Sequence, residues 1–307
     1  MTYDLIIIGA GPTGIEAALQ AKKRGFSYLL LEKDDAGALI EQTMHEKKFY
    51  QIYGRNTATI KGDLAFPDRL KGYELVALWK KQTEALSVVR GVTLRSLVKA
   101  ADEFVLTTTV EEYRARTILL TSGTFEGERK LEVPGEQGNP KILYRFDYYN
   151  SYEGKKILVV GGGNSALETA IECADANTVT MLIRRDDFSS NAAENNRETI
   201  REYMAGKKVT VLFGAVVERI DPDMLTANVN GIPQELPYDL LFVHVGFHKP
   251  IQFLENLGIT CQDGKPVFNE KFETNIPGLY IAGSLTGADS IVECANQAYD
   301  IVQALKK

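Results

Sequence analysis

The sequence predicts an α/β fold built around parallel sheets, and three observations support that prediction. Two apolar strands run straight into glycine-rich turns that open helices, one at the N-terminus and one past the middle of the chain. In each case a second strand follows and ends in a charged residue, Glu32 in the first unit and Arg184 in the second. At 307 residues the chain is long enough for two domains, each with its own core.

In the first unit, Leu5 to Ile8 is an apolar run suited to a strand buried on both faces. It leads into Gly9-Ala10-Gly11-Pro12-Thr13-Gly14, then a helical pattern over Ile15 to Arg24 that stops at Gly25. In this G-x-G-x-x-G spacing one glycine makes the tight turn. Another admits a pyrophosphate to the backbone, and the third lets helix and strand pack closely. The helix N-terminus adds unpaired N–H groups and a partial positive charge for the phosphates. The next strand, Tyr28 to Leu31, ends in Glu32, where a ribose hydroxyl needs an acceptor. The same string serves a plain strand–helix connection, but strand, helix and terminal acid in register favour the nucleotide reading.

The second unit repeats the pattern. Lys156 to Val160 reads as a strand, followed by Gly161-Gly162-Gly163-Asn164-Ser165-Ala166, a helix through about Ala174, and a strand over Thr178 to Ile183. Glu32 lies 18 residues after Gly14, and the position 18 after Ala166 is Arg184, followed by Arg185. An arginine pair in place of the acid suits a 2′-phosphate, which favours NADPH over NADH. Two solvated arginines at a strand end are the plainer reading. The two units together predict two Rossmann-like domains, one for a bound cofactor and one for an exchanging cofactor.

Composition narrows the partners. Apolar residues make up 44% and charged residues 25%, ordinary for a globular chain. The formal net charge is −6 with no Lys/Arg block, which argues against nucleic acid. The N-terminal apolar run is too short for a signal peptide, and no stretch approaches the roughly 18 apolar residues of a membrane helix. The expected location is the cytoplasm, with no membrane partner. Cys173, Cys261 and Cys294 are odd in number, far apart and form no C-x-x-C pair, so neither a structural disulfide nor a zinc site is expected. His244 and His248 are four apart, but Leu240 to Val245 reads as a strand, where that spacing makes no chelating face. No metal site is expected.

These motifs, in this order, resemble the low-molecular-weight thioredoxin reductase family of flavoproteins. The resemblance takes in the first glycine turn, Thr121-Ser122-Gly123-Thr124 after a strand over Ile118 to Leu120, and Val133-Pro134-Gly135-Glu136. It continues through Gly154-Lys155-Lys156, the Arg184-Arg185 pair, and Gly278-Leu279-Tyr280-Ile281-Ala282-Gly283-Ser284. It implies two Rossmann-like domains of the three-layer ββα type. The FAD domain would be discontinuous, over 1–118 and 248–307, with an NADPH domain over 123–243 inserted into it and hinges near Ser122-Gly123 and Val245-Gly246. FAD contacts are implied at Gly9, Gly11, Pro12, Thr13, Gly14, Glu32, Lys33, Ser122, Gly123, Gly283, Ser284, Ile291 and Val292. NADPH contacts are implied at Gly161, Gly163, Asn164, Ser165, Arg184 and Arg185. A homodimer is implied as well.

Three departures limit what carries over. Thioredoxin reductases place a redox-active C-x-x-C shortly before the segment matching Tyr152 to Lys156; counted back without a gap, those positions hold Tyr144 and Asp147. Reduction of thioredoxin by the family mechanism is therefore excluded. The family's FAD-binding Gly-Asp is Gly283-Ser284 here, and the Arg-Gln pair that follows aligns with Ile291-Val292, so FAD binding is expected to be retained but altered. The sequence ends at Lys307, just after its last helix, whereas ferredoxin-reducing relatives often carry a further segment, which counts modestly against that role.

What remains is positioning, because hydride transfer from nicotinamide to flavin needs no protein acid or base. Ser290 and Glu293 read as an S-x-x-E capping box for the last helix, with Ala295, Ala298, Val302 and Leu305 as its apolar face. The resemblance points the N-terminus of this helix at the flavin pyrimidine, where its dipole favours a reduced anion; an ordinary capped terminal helix is the plainer reading. Cys294, in the first turn, is a weak catalytic candidate because a thiolate is favoured there. Cys173 reads as buried and inert, and Cys261 as a turn residue. Phe49, Tyr50 and Tyr53 fall where relatives stack an aromatic on the flavin, and Tyr148 and Tyr149 are candidates to shield it.

The resulting expectation is an FAD-dependent NADPH oxidoreductase acting on a small-molecule or small redox-protein acceptor. Ferredoxin or flavodoxin, a quinone and a second flavin are the candidates. One alternative is a low-molecular-weight disulfide reductase resembling the bacillithiol group, which uses a cysteine where this first turn has Thr13. The other is a flavin-binding redox sensor without turnover.

Overall fold

The computed structural model describes residues 1–51, 58–124, 127–147 and 150–306. The chain divides into two compact units, Met1–Thr124 with Lys249–Lys307, and Phe125–His248.

The first unit opens with β1 (Thr2–Ile8), α1 (Pro12–Lys23) and β2 (Tyr28–Glu32), followed by a short β3 (Val88–Arg90). An antiparallel run then forms from β4 (Leu94–Ala100), β5 (Glu103–Thr108) and β6 (Glu112–Leu120). The sheet order is β3-β2-β1-β6-β5-β4, so β1 lies between two parallel neighbours. That position explains its unbroken apolar run: Leu5, Ile6 and Ile7 are fully buried. β6 changes character along its length. Glu112 to Ala115 alternates exposed and buried against antiparallel β5, whereas Ile118 to Leu120 is wholly buried where parallel strands flank it. α1 begins at Pro12, three residues ahead of its apolar period, because proline is preorganised for the first helical position.

In the second unit, β7 (Lys156–Val160), α2 (Asn164–Cys173), β8 (Thr178–Ile183), α3 (Glu194–Ala205) and β9 (Val209–Phe213) form a parallel αβ run. A β-meander follows, β10 (Ala215–Ile220), β11 (Met224–Val229) and β12 (Ile232–Pro237), before β13 (Leu240–Val243) returns to the sheet. The order is β9-β8-β7-β13, with the two-residue strand Ile142–Leu143 outside β13. Alternation along β7 builds two cores. Ile157 and Val159 pack with Leu167, Ala170 and Ile200 of the helices, while Leu158 and Val160 pack with Leu225 and Ala227 of the meander. Meander, sheet and helices are the three layers of the expected ββα type.

The closing segment completes the first unit. β14 (Leu279–Ile281) adds in parallel to the end of β6, and α4 (Ile291–Ala304) packs on α1. Ala295, Ala298 and Val302 are fully buried in one core with Ile15 and Ala18, and Leu305 lies just past the helix. The Ser290 hydroxyl accepts the Glu293 N–H at 3.1 Å, but the Glu293 carboxylate takes the N–H of Asp289 and not that of Ser290. Only half of the expected capping box forms. Cys261 lies in a small strand, Cys261–Gln262, paired with Lys265–Pro266, with Asp263 and Gly264 at positive φ in a two-residue turn. Among the described residues, no helix is long and apolar enough to cross a membrane.

Candidate dinucleotide sites

The three glycines of the first turn answer to different constraints. Gly9 has φ +106°, and a Cβ there would stand 2.6 Å from the Thr121 carbonyl oxygen. A Cβ on Gly14 would stand 1.8 Å from the Gly9 carbonyl oxygen. Both glycines are required by the protein's own packing. Gly11 is different: its backbone is extended (φ −75°, ψ −177°) and a Cβ would meet nothing within 4 Å. It leaves an open cradle over the start of α1, as a pyrophosphate requires. Glu32, 8% exposed, accepts the Ala10 N–H at 2.6 Å and the Asp34 N–H at 2.9 Å. Its carboxylate therefore shapes the turn and still has lone pairs for a ribose hydroxyl. Lys33 is exposed and makes a loose 3.9 Å pair with Asp34.

The ends of β6 and β14 close on the same turn. The Thr121 hydroxyl lies 2.9 Å from the Ile8 carbonyl oxygen and 2.8 Å from that of Gly9. Gly283, at φ +74°, would bring a Cβ 2.5 Å from Thr13 Oγ1, and a Cβ on Gly123 would lie 3.7 Å from Ser284 Oγ. The structure thus gathers Gly9, Gly11, Thr13, Gly14, Gly123, Gly283 and Ser284 at the carboxyl ends of β1, β6 and β14. Ser122 is exposed beside them. This is the switch point where open α/β sheets bind ligands. Gln297, which sequence reasoning missed, accepts the Gly283 N–H at 2.9 Å and the Thr286 hydroxyl at 2.9 Å. A glutamine on a helix carries no signal for such a role.

Several expected contacts take other places. Val292 is 1% exposed inside the core and Ile291 packs against that core, so both side chains are engaged in packing. Cys294 is buried, and burial pushes its thiol up to about 11 despite a hydrogen bond with Thr13. Desolvation there acts against the thiolate that a helix N-terminus favours. Cys173 is pushed up to about 12 by burial in the helix core. Phe49 packs against the first core, Tyr50 is 41% exposed, and Tyr53, Tyr148 and Tyr149 lie outside the described residues. At the dithiol positions, the Tyr144 hydroxyl donates to buried Glu136 at 2.9 Å and Asp147 accepts from Asn150 at 2.7 Å.

The second turn opens onto a cleft of about 530 Å³. Its walls are Gly161–Gly163, the end of β8 with Arg184 and Arg185, the start of β10, and two segments for which the sequence implied no nucleotide contact. Those are Arg129–Leu131 and His244–Gly246. Gly161 has φ +134°, and a Cβ there would stand 2.2 Å from the His244 carbonyl oxygen. Gly163 repeats Gly11, with φ −91°, ψ 178° and open space where a Cβ would go. Asn164 turns away: its side-chain oxygen accepts the Ala193 N–H at 2.8 Å and the Asn196 amide at 3.1 Å, tying α2 to the start of α3. Ser165 is exposed on α2 and does not line the cleft. The Asn164 side chain at the helix start thus serves a neighbouring helix.

His244 ends up half-buried, with Nε2 2.9 Å from Thr169 Oγ1 and its ring stacked on Phe242. Burial lowers its pKa to about 4. Between that value and the ordinary 6.5, the unfolded chain binds a proton that the folded chain refuses. Stability therefore rises with pH across the window and is lost as pH falls towards 4. From pH 7 to 4.5 the wild type is expected to lose roughly 2–3 kcal/mol through this group. Urea melts at the two pH values should show that extra loss in the wild type and not in His244→Gln; equal losses would refute it. Among the described residues, no cluster of His, Cys, Asp or Glu could hold a metal ion.

Comparison with known proteins agrees with this architecture. The sequence matches the family described as Pyridine nucleotide-disulphide oxidoreductase over residues 6–283. It is 28% identical to Bacilliredoxin reductase Bdr of Bacillus subtilis (strain 168), over 94% of this chain and 91% of that protein. It is also 28% identical to a Ferredoxin–NADP reductase of Streptococcus gordonii, over 92% and 85%. The solved Bacillithiol Disulfide Reductase Bdr (YpdA) from Staphylococcus aureus superposes with a TM-score of 0.86 at 25% identity, covering 99% of this chain and 98% of that one. Lactococcus lactis thioredoxin reductase does so at 0.78 and 25%, covering 99% and 100%. The protein is an NAD(P)H-dependent oxidoreductase with a thioredoxin-reductase-like fold, and FAD and NADPH are the cofactors its relatives imply. By sequence and fold together, the chain belongs to the pyridine nucleotide-disulphide oxidoreductase family.

Proposed function

We propose that the unit Met1–Thr124 with Lys249–Lys307 holds FAD, that Phe125–His248 binds NADPH, and that electrons pass through the flavin to an acceptor other than thioredoxin. The observation that supports this most strongly is the pair of open cradles, Gly11 beside an acid and Gly163 beside two arginines. Each fits a nucleotide pyrophosphate, and the differing charge at the next strand end fits two different nucleotides. The bound cofactors supply the redox chemistry, hydride transfer from nicotinamide to flavin. The residues supply position and charge. Glu32 holds the first turn and a ribose, the first turn of α4 presents a helix N-terminus, and Arg184 and Arg185 select the 2′-phosphate.

With Tyr144 and Asp147 in place of a dithiol, the acceptor is a ferredoxin or flavodoxin, a quinone or a second flavin. The name of the S. gordonii relative supports the first of these. A second reading, reduction of a low-molecular-weight disulfide, draws on the relatives named for bacilliredoxin and bacillithiol disulfide. Here Thr13 replaces the cysteine of that group, and the thiol this reading relies on is Cys294, in the first turn of α4. The test is Cys294→Ser. Unchanged NADPH-dependent reduction of ferredoxin or quinone supports the first reading, whereas disulfide reduction that vanishes in the variant supports the second. We further infer a cytoplasmic homodimer, which sedimentation at micromolar concentration tests for its dimeric part.

A further inference from the structure

The cleft of the second unit holds two separate sets of cations. This unit contains seven arginines. Arg145 pairs with Glu128, Arg197 and Arg201 with Glu194, and Arg219 with Asp221. The other three, Arg129, Arg184 and Arg185, have no carboxylate partner among the described residues, and all three line the cleft. Lys130 adjoins Arg129, its ammonium 5.9 Å from the centre of the Tyr144 ring. The acid that lines the cleft, Asp187, lies beyond the Arg184 side and approaches Arg201 at 4.0 Å.

The backbone fixes where Arg129 stands. Its N–H donates to the Gly246 carbonyl at 3.0 Å, and Glu128 bridges Phe247 in antiparallel fashion. The neighbouring Glu128 carboxylate is already engaged by Arg145, which leaves the Arg129 guanidinium without a carboxylate partner among the described residues. Gly246 follows β13, while Arg184 follows β8, and these strands flank β7 on opposite sides. Two strand spacings, roughly 10 Å, separate the two strand ends. The two sets are therefore rooted on opposite sides of the cleft. In a nucleotide lying across the strand ends, the adenosine falls at the β8 side and the pyrophosphate over the α2 N-terminus.

Resting on the reading of this cleft as the NADPH site, we propose that Arg129, assisted by Lys130, holds the pyrophosphate from its nicotinamide side. That group is common to NADPH and NADH, so the strap sets affinity for both, and Arg184 with Arg185 sets the choice between them.

Calorimetric titration of the full-length protein with NADP⁺, NAD⁺ and 2′,5′-ADP separates the two sets. Arg129→Gln is expected to weaken NADP⁺ and NAD⁺ by the same factor, roughly tenfold, while leaving 2′,5′-ADP unchanged. Lys130→Gln should act in the same direction with a smaller factor. The double variant Arg184→Gln/Arg185→Gln should weaken NADP⁺ and 2′,5′-ADP and leave NAD⁺ unchanged. Arg129 is exposed, so its variant should melt like the wild type. Unaltered NADP⁺ and NAD⁺ binding by Arg129→Gln, or a loss confined to NADP⁺, overturns the strap alone. A wild-type protein that binds neither dinucleotide overturns the cleft reading itself, and the strap with it.

Discussion

Replacing Gly11 or Gly14 with alanine is expected to separate cofactor retention from folding. The Gly14→Ala methyl would stand 1.8 Å from a backbone carbonyl, so the turn must distort, lowering stability and losing flavin together. The Gly11→Ala methyl meets no protein atom within 4 Å, and its backbone angles suit any residue. That apoprotein should therefore melt like the wild type. Its methyl fills only the cradle, so FAD retention should fall by about tenfold or more. Flavin-to-protein absorbance ratios after purification, with melting curves of the stripped proteins, measure both effects. Full flavin content in Gly11→Ala would place the pyrophosphate elsewhere.

The second large effect concerns nucleotide choice. Arg184 and Arg185 are exposed at the end of β8, without carboxylate partners among the described residues, and they face the cleft. A doubly charged 2′-phosphate between two guanidinium groups gains charge-assisted bonds of roughly 1.5–3 kcal/mol each. Replacing both with glutamine should lower the preference for NADPH over NADH on the order of 100-fold. The effect should shrink at high salt because both side chains are exposed. The ratio of dissociation constants for the two nucleotides, before and after substitution, gives the answer. A ratio that does not move would show that these arginines do not read the 2′-phosphate.

Much of the fold was legible because its constraints are local. A buried parallel strand needs an unbroken apolar run, and a turn onto a helix needs glycine where a Cβ would strike backbone. Both demands are written at Leu5–Gly14 and at Lys156–Ala166. The change within β6 from alternating to continuous burial also follows from which neighbours it has.

The less legible features depend on partners far along the chain. Asn164 looks like a ligand contact until α3 is placed beside it. Val292 aligns with a cofactor contact but is enclosed by the core that α1 and α4 build together. Cys294 sits where a dipole favours a thiolate, and only the packed structure shows the burial that pushes its thiol up. Glu16 reads as an ordinary helix charge. In the structure it is fully buried, accepting the N–H groups of Asp63 and Leu64 and the Gln20 amide, and burial raises its pKa. Arg129 gave no sequence signal either, because a basic pair in a loop is usually solvated and only the pairing with Gly246 sets it at the cleft.

The proposed function rests on electron transfer from NADPH onto a bound flavin. The most direct test mixes the FAD-loaded protein anaerobically with NADPH, and separately with NADH, while following the oxidised-flavin band. Bleaching within seconds by NADPH is expected, with markedly slower bleaching by NADH at equal concentration. An oxidised band that persists with both nucleotides would contradict it and favour a flavin-binding sensor without turnover.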